Sequence, residues 1–255
     1  IINGSLLPIF KMNSANVSLQ LMEANTDKFW IFANFAQLNE GCIVYAIKNL
    51  NYAILEYDYK YCIFRSPEKH IAAQGTCDCH KERRGKLVSI FFKKSIQTWF
   101  MSEQQKNKYV SKFPFLNAPS IKVLNSVFSD GTLDFIESLD TKNKNKKWLI
   151  SNSPSWIKGT EIAIKFAKEN NLQYELVWGL EHKELLKKMA ESKGVIYLPP
   201  GGDTCPRFII EAKMLDCELI LNENVQHKNE EWFENKESTM KHMRSRTIAF
   251  WLNIE

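Results

Sequence analysis

Residues 199–212 read PPGGDTCPRFIIEA and carry the densest chemistry in the chain. Gly201 and Gly202 permit close backbone approach or positive φ. Thr204 suits a helix N-cap, and Pro206 suits the first turn, where a missing N–H is harmless. The free N–H groups of such a turn face an anion. Glu211 follows among Phe208, Ile209, Ile210 and Ala212, where a carboxylate is costly without a partner. Ribose hydroxyls would supply one. Asp203 precedes Glu211 by eight residues, roughly 12 Å if all of it is helical. That reach spans a sugar, a diphosphate and a ribose. The plainer alternative pairs Glu211 with a nearby lysine and leaves Asp203 as a helix cap.

Segment 153–160, SPSWIKGT, places Lys158 and Gly159 at the start of another helix. A helix N-terminus attracts phosphate, and Lys158 adds a point charge. Alone this pair is also what an exposed lysine beside a loop glycine looks like.

A third constellation is Cys62, His70, Cys77 and Cys79, a C-x7-H-x6-C-x-C array. Three thiolates and one imidazole suit a tetrahedral structural zinc. His80 is an alternative to His70. Segment 63–85 shows no strong apolar strand or helix, and a metal within 62–80 would explain its order.

Further candidates are single residues after strand ends. Asp58 in EYDYKYC is placed to touch a transferred sugar or an acceptor. Asn224, Gln226 and His227 follow the last strand and are placed to meet the same ligand as residues 199–212.

These residues need strands and helices to bring them together. Short apolar runs rich in β-branched and aromatic residues predict strands at 29–36, 52–58, 86–92, 98–102 and 121–128. Similar runs predict strands at 147–153, 174–179, 194–200 and 218–222. Helical spacing appears in Ile162, Ala163, Phe166 and Ala167, in Leu185, Leu186 and Met189, and in Phe208, Ile209, Ala212 and Leu215. A closing helix is expected over 237–254. Strand–helix alternation implies α/β architecture with parallel βαβ units. The polar run DTKNKNKK at 140–147 reads as a linker. It divides the chain into domains 1–140 and 141–255, two small Rossmann-like domains facing a cleft. Ligands of open α/β sheets bind beyond the carboxyl ends of strands, where all these candidates fall.

Composition narrows the classes. The chain has 255 residues, 44% hydrophobic and 25% charged, which is ordinary for a globular protein. No apolar run of about 18 residues suggests a membrane span. Net charge is only +5, and 28 of the 34 basic residues are lysine. Readers of nucleic acid more often cluster arginine, so nucleic acid is not expected as a partner. The chain starts at Ile1 rather than Met, which reads as a processed or trimmed product. The opening IINGSLLPIF lacks the pattern of a signal peptide. Six cysteines in such a chain point to a reducing cytoplasm.

The run DTCPRFIIEA, on the heels of a strand ending in LPP, resembles the E-x7-E region of group 1 (family 4-like) retaining glycosyltransferases of GT-B fold. Lys158–Gly159 resembles their Lys-Gly phosphate turn. The likeness covers 147–225 and is thin before it. Asp203 stands where the family has Glu, and Ser153 where it usually has Arg, with Arg207 a replacement charge. The first half is short for the family and has no recognisable Gly-rich first loop. The resemblance implies transfer of a sugar from a nucleotide diphosphate donor to a hydroxyl, with retention and no catalytic metal. The acceptor would be a glycan, a lipid-linked glycan or a protein. Carried over, Asp203 binds the sugar and Glu211 the ribose. Lys158 and Gly159 meet the diphosphate, and the stretch Thr204, Cys205 and Arg207 cradles it. Two rival readings stay open: a non-catalytic nucleotide-sugar or glycan-binding module, and a zinc-bearing nucleic-acid-binding protein.

Overall fold

The computed structural model describes residues 8–252 and residue 254. The opening read for a signal peptide lies, up to residue 7, outside the described residues. The chain folds as two α/β units. One extends to Asn125 and takes back the chain from Ile248; the other is Ser126–Thr247. No helix among the described residues is long and apolar enough to cross a membrane.

The first unit contains α1 (Leu19–Glu23), β1 (Phe29–Phe32), α2 (Glu40–Asn49), β2 (Asn51–Glu56), α3 (Pro67–Gln74), α4 (Arg83–Lys94), β3 (Gln97–Phe100), α5 (Glu103–Lys112) and β4 (Ile121–Val123). Its strands are parallel and ordered β1-β2-β3-β4, so this sheet never reverses direction of growth. The core is aromatic: Tyr52 stacks on Phe91 at 4.7 Å and its hydroxyl donates to the Phe91 carbonyl.

The predicted strand at 86–92 is instead the body of α4. Gly85, Val88, Ser89, Phe91 and Phe92 are its buried residues, an i, i+3, i+4 pattern that a helix presents on one face. A short apolar run fits a buried strand or a helix equally well, and here burial on one face decides.

The second unit contains α6 (Asp130–Glu137), β5 (Trp148–Ser151), α7 (Thr160–Glu169), β6 (Tyr174–Val177), α8 (His182–Glu191), β7 (Gly194–Tyr197), α9 (Arg207–Met214), β8 (Glu218–Leu221) and the start of α10 (Lys236–Trp251). The strands are again parallel, now ordered β6-β5-β7-β8. The sheet grows one way from β5 to β6, then crosses back to place β7 on the other side of β5. That reversal makes a topological switch point at the carboxyl ends of β5 and β7. Trp148, Ile150, Ala163, Ala167, Ile196 and Leu198 form a core cluster that holds α7 on this sheet. The end of α10 belongs to the first unit, where Phe250 packs on Trp99 at 4.5 Å.

The division falls at Asn125/Ser126 rather than at 140/141. Segment 140–147 is not a free linker. Lys144 Nζ donates to the carbonyls of Ala190 and Leu215, at 3.1 and 2.9 Å, and Asn145 N–H to that of Glu191. Ahead of it, Asp134 and Glu137 of α6 accept from Arg244 of α10. These bonds tie α6 and the polar run to the second unit.

Candidate functional site

The switch point gathers the residues of 153–160 and 199–212. Pairing of β5 with β7 runs over Trp148↔Gly194 and Leu149↔Val195, short of both strand ends. Gly159 then brings the two following loops together. A Cβ on Gly159 would lie 2.1 Å from the Leu198 carbonyl oxygen and 3.0 Å from Pro199 Cα. Its φ of +63° is left-handed, which glycine adopts without the Cβ penalty. Gly159 both ends the 3-10 turn Trp156–Lys158 and opens α7. Thr160 ties that helix start to the strand end, its hydroxyl donating to the carbonyls of Ser151 and Ser153 at 2.7 and 3.1 Å.

Lys158 and Asp203 meet across the two loops, Nζ to Oδ2 at 2.9 Å. The Tyr197 hydroxyl, at the end of β7, donates to the same oxygen. Burial and the neighbouring Asp203 charge hold the Tyr197 phenol far above its ordinary range, so it stays a donor. Asp203 is also fixed through its backbone. Its N–H donates to Asn224 O at 2.9 Å, and its carbonyl accepts from Gln226 N–H at 3.1 Å. Asn222 and Asn224 both donate to the Pro199 carbonyl at 2.9 Å.

This pinning corrects the expected helix start. Asp203 bridges Val225 in parallel register, so the chain is extended there, and Pro206 with ψ 116° is the N-cap of α9. Thr204 is a buried loop residue, not the cap. The 12 Å helical separation of Asp203 and Glu211 therefore does not apply: only Arg207 onward is helical. The left-handed glycine of the site is Gly159, not Gly201 or Gly202.

Neither α7 nor α9 has a side-chain N-cap bond. The opening N–H groups of a helix lack intrahelical acceptors, although Ile209 N–H already donates to the Pro206 carbonyl at 3.1 Å, and both helices start at the same sheet edge. Two helix dipoles and Lys158 then favour an anion at the switch point.

Glu211 is buried, 4% exposed, on the second turn of α9. His182 Nε2, the first residue of α8, hydrogen-bonds its Oε1 at 2.9 Å, and Arg207 lies 3.6 Å from the same oxygen. Burial raises the Glu211 pKa, and both partners oppose the rise. Arg207 also lies over the Phe128 ring, 4.3 Å from its centroid, and is half exposed. Cys205 is buried, its carbonyl accepting from Ser126 and its thiol pushed up to about 12 by burial.

Four further candidates have partners of their own within their units. His227 is fully buried, stacked on Trp232 and edge-on to Phe233, and burial holds its pKa down to about 3. It is a neutral core histidine rather than a ligand contact. Asn224 and Gln226 serve the Asp203 loop through the backbone bonds already described. Asp58 lies in the first unit after β2, and both its oxygens are held by cations. Lys60 takes Oδ1 at 3.1 Å, and Arg65 takes Oδ2 through Nε at 2.8 Å and through Nη2. The third constellation, Cys62, His70, Cys77 and Cys79, does come together in the first unit, with ligand atoms all within 4.8 Å of one another. His80 is outside that set and packs edge-on to Phe113 at 6.4 Å.

Two features escaped the sequence reading. His182 pairs with Glu211 across 29 positions, and its sole signal was a histidine following a strand at the same sheet edge. Glu56 and Lys60 form a buried pair, Nζ to Oε2 at 3.2 Å, with Tyr109 donating to Glu56 Oε1. Burial raises the Glu56 pKa to about 7 against the opposing Lys60 charge.

No protein-family model matches the chain, and no curated protein sequence does. Solved structures do match at the level of fold. A mutant of Staphylococcus aureus TarM, in complex with fondaparinux, alpha-GlcNAc-glycerol and UDP, aligns with TM-score 0.55 and 10% identity over 92% of this chain. The UDP-forming alpha,alpha-trehalose-phosphate synthase from Burkholderia xenovorans aligns with TM-score 0.51 and 10% identity over 94%. Sucrose-phosphate synthase from Thermosynechococcus elongatus aligns with TM-score 0.52 and 11% identity over 90%. The chain spans 57% of the TarM chain and 73% and 72% of the two synthases. The two Rossmann-like α/β units are thus those of the GT-B fold.

Proposed function

We propose that the chain is a glycosyltransferase whose second unit holds a nucleotide diphosphate sugar, with uridine diphosphate as the leaving group. The observation that carries this reading is the convergence of Lys158 and two helix N-termini without side-chain caps on the switch point of one sheet. The UDP named with two of the structural neighbours supports the choice of nucleotide.

In this reading the diphosphate lies against the starts of α7 and α9. Lys158 turns from Asp203 to the phosphates, which frees the Asp203 carboxylate for sugar hydroxyls while Tyr197 keeps it oriented. Glu211 accepts from the ribose hydroxyls. The bond from sugar C1 to phosphate oxygen breaks with its electron pair on the diphosphate, and a hydroxyl oxygen of a glycan, lipid-linked glycan or protein bonds C1 as its proton passes to the leaving diphosphate oxygen or to solvent. Charge grows on the leaving diphosphate; Lys158, Arg207 and the helix ends meet that charge in this reading, and so bind the transition state better than the ground state. These groups fill the charge-stabilising role without a catalytic metal. Transfer proceeds with retention of configuration, as the resemblance of 199–212 implies.

The test is release of nucleoside diphosphate from a panel of labelled nucleotide sugars by the full chain. UDP release is expected with at least one UDP-sugar, with the product's anomeric configuration retained by NMR. Asp203→Asn should lower kcat while leaving free UDP binding near normal. Release that is unaltered by Asp203→Asn, or absent with every donor, would overturn the proposal.

A further inference from the structure

We infer that the first unit binds a structural zinc ion through Cys62, His70, Cys77 and Cys79. The argument begins with distances. A tetrahedral ion with sulfur at about 2.3 Å and nitrogen at about 2.0 Å sets edges of about 3.8 Å between sulfurs and about 3.5 Å between sulfur and nitrogen. Here Cys62 Sγ and Cys77 Sγ are 3.6 Å apart. His70 Nδ1 is 3.5 Å from Cys62 Sγ and 3.3 Å from Cys79 Sγ. These three distances match edges of a ligand tetrahedron, and all four ligand atoms lie within 4.8 Å of one another.

The surroundings are prepared for the same ion. His70 Nε2 is 2.8 Å from Gln74 Oε1. An amide oxygen only accepts, so Nε2 carries the proton and the Nδ1 lone pair faces the three sulfurs. The Phe64 ring stacks on the imidazole at 4.7 Å and fixes its plane. Gly85 lets α4 close on this loop: a Cβ there would lie 2.1 Å from the Cys79 carbonyl oxygen.

Burial in α3 runs against ordinary packing. Its one buried residue among those described is His70, while Ile71 is 48% exposed. Residues 71–76 are all exposed. An eight-residue helix does not hold itself in water. A metal cross-link explains why the imidazole and not the isoleucine faces inward. It joins three segments: the connection after β2, α3 itself, and the connection into α4. Four protein ligands complete the tetrahedron and leave no open position, so the ion is structural. Soft thiolates with one imidazole select zinc over the oxygen-seeking cations. On binding, each thiol gives its proton to solvent and its sulfur an electron pair to the ion, with no change of oxidation state.

The test is metal content and cobalt exchange on the full chain, with readouts independent of any nucleotide. Wild-type protein purified reduced and without chelator should contain one zinc per chain. Replacement by cobalt should give the visible d–d bands and thiolate charge-transfer absorption of a tetrahedral site. Cys77→Ser should lose the metal, whereas Cys42→Ser, a buried cysteine outside the cluster, should keep it. Gln74→Ala keeps all four ligands and should bind zinc about 10–100-fold more weakly. If Cys77→Ser does not fold, the wild-type cobalt spectrum and Gln74→Ala decide. Reduced wild-type protein that takes up neither zinc nor cobalt, or a Gln74→Ala variant with unchanged affinity, would overturn the assignment.

Discussion

Replacing Gly159 with alanine separates two roles of one residue. The first is conformational: at φ +63° an alanine costs about 1–2 kcal/mol. The second is close approach. The new Cβ would sit 2.1 Å from the Leu198 carbonyl oxygen and must move to at least 3.0 Å. The loops after β5 and β7 then part by about 1 Å, an overpacking strain of about 1–3 kcal/mol. The total is about 2–5 kcal/mol. That shift also separates Lys158 from Asp203, now 2.9 Å apart, and turns the α7 N-terminus off the switch point. Diphosphate affinity should fall about tenfold, the worth of one charged hydrogen bond. Gly179→Ala is the control. Its φ is +70°, but nothing lies within 4 Å of the added carbon. It should lose only the conformational 1–2 kcal/mol, roughly, and bind nucleotide normally. Urea denaturation and UDP calorimetry on both variants make the comparison. Equal stability losses with unchanged UDP binding in both would refute the close-approach argument.

Acid should destabilise the second unit through His227. Its folded pKa of about 3 lies below the ordinary 6.5, so stability held above pH 6.5 is lost as pH falls toward 3. The loss is about 1.4 kcal/mol per pH unit, or about 2 kcal/mol at pH 5, and His227→Phe should shrink it in urea titrations at pH 7 and 5. An unaltered pH dependence would show that another group carries the effect. In the first unit, Lys60→Met leaves buried Glu56 without its cation, while Asp58 keeps Arg65, and should cost about 3–5 kcal/mol by chemical denaturation. Adding Glu56→Gln should restore much of that; a double variant no more stable than the single would count against the pairing.

The second unit was legible because its signals are local. Strand, turn and helix follow one another in WLISNSPSWIKGTEIAIKFA, and each is encoded within a few residues. The sheet order could not be read this way, yet the order is what puts Lys158 beside Asp203 across 45 positions. The His182–Glu211 pair is likewise a product of α8 and α9 packing, not of spacing. In the first unit, LVSIFF offered two periodicities at once, and burial chose the helical one. The Cys and His array was visible as composition, but only folding shows that His70 rather than His80 joins the thiols. The expected α9 start failed because Asp203 pairs with Val225, a contact far along the chain.

The most direct test of the account is calorimetric titration of UDP and of uridine into the full chain and into Lys158→Ala. The wild type should bind UDP far more tightly than uridine, because the diphosphate meets Lys158 and the starts of α7 and α9. Lys158→Ala should weaken UDP by about 1.5–3 kcal/mol and leave uridine binding nearly unchanged. Equal affinities of UDP and uridine for the wild type, or equal losses for both on removing Lys158, would contradict a diphosphate site at the switch point.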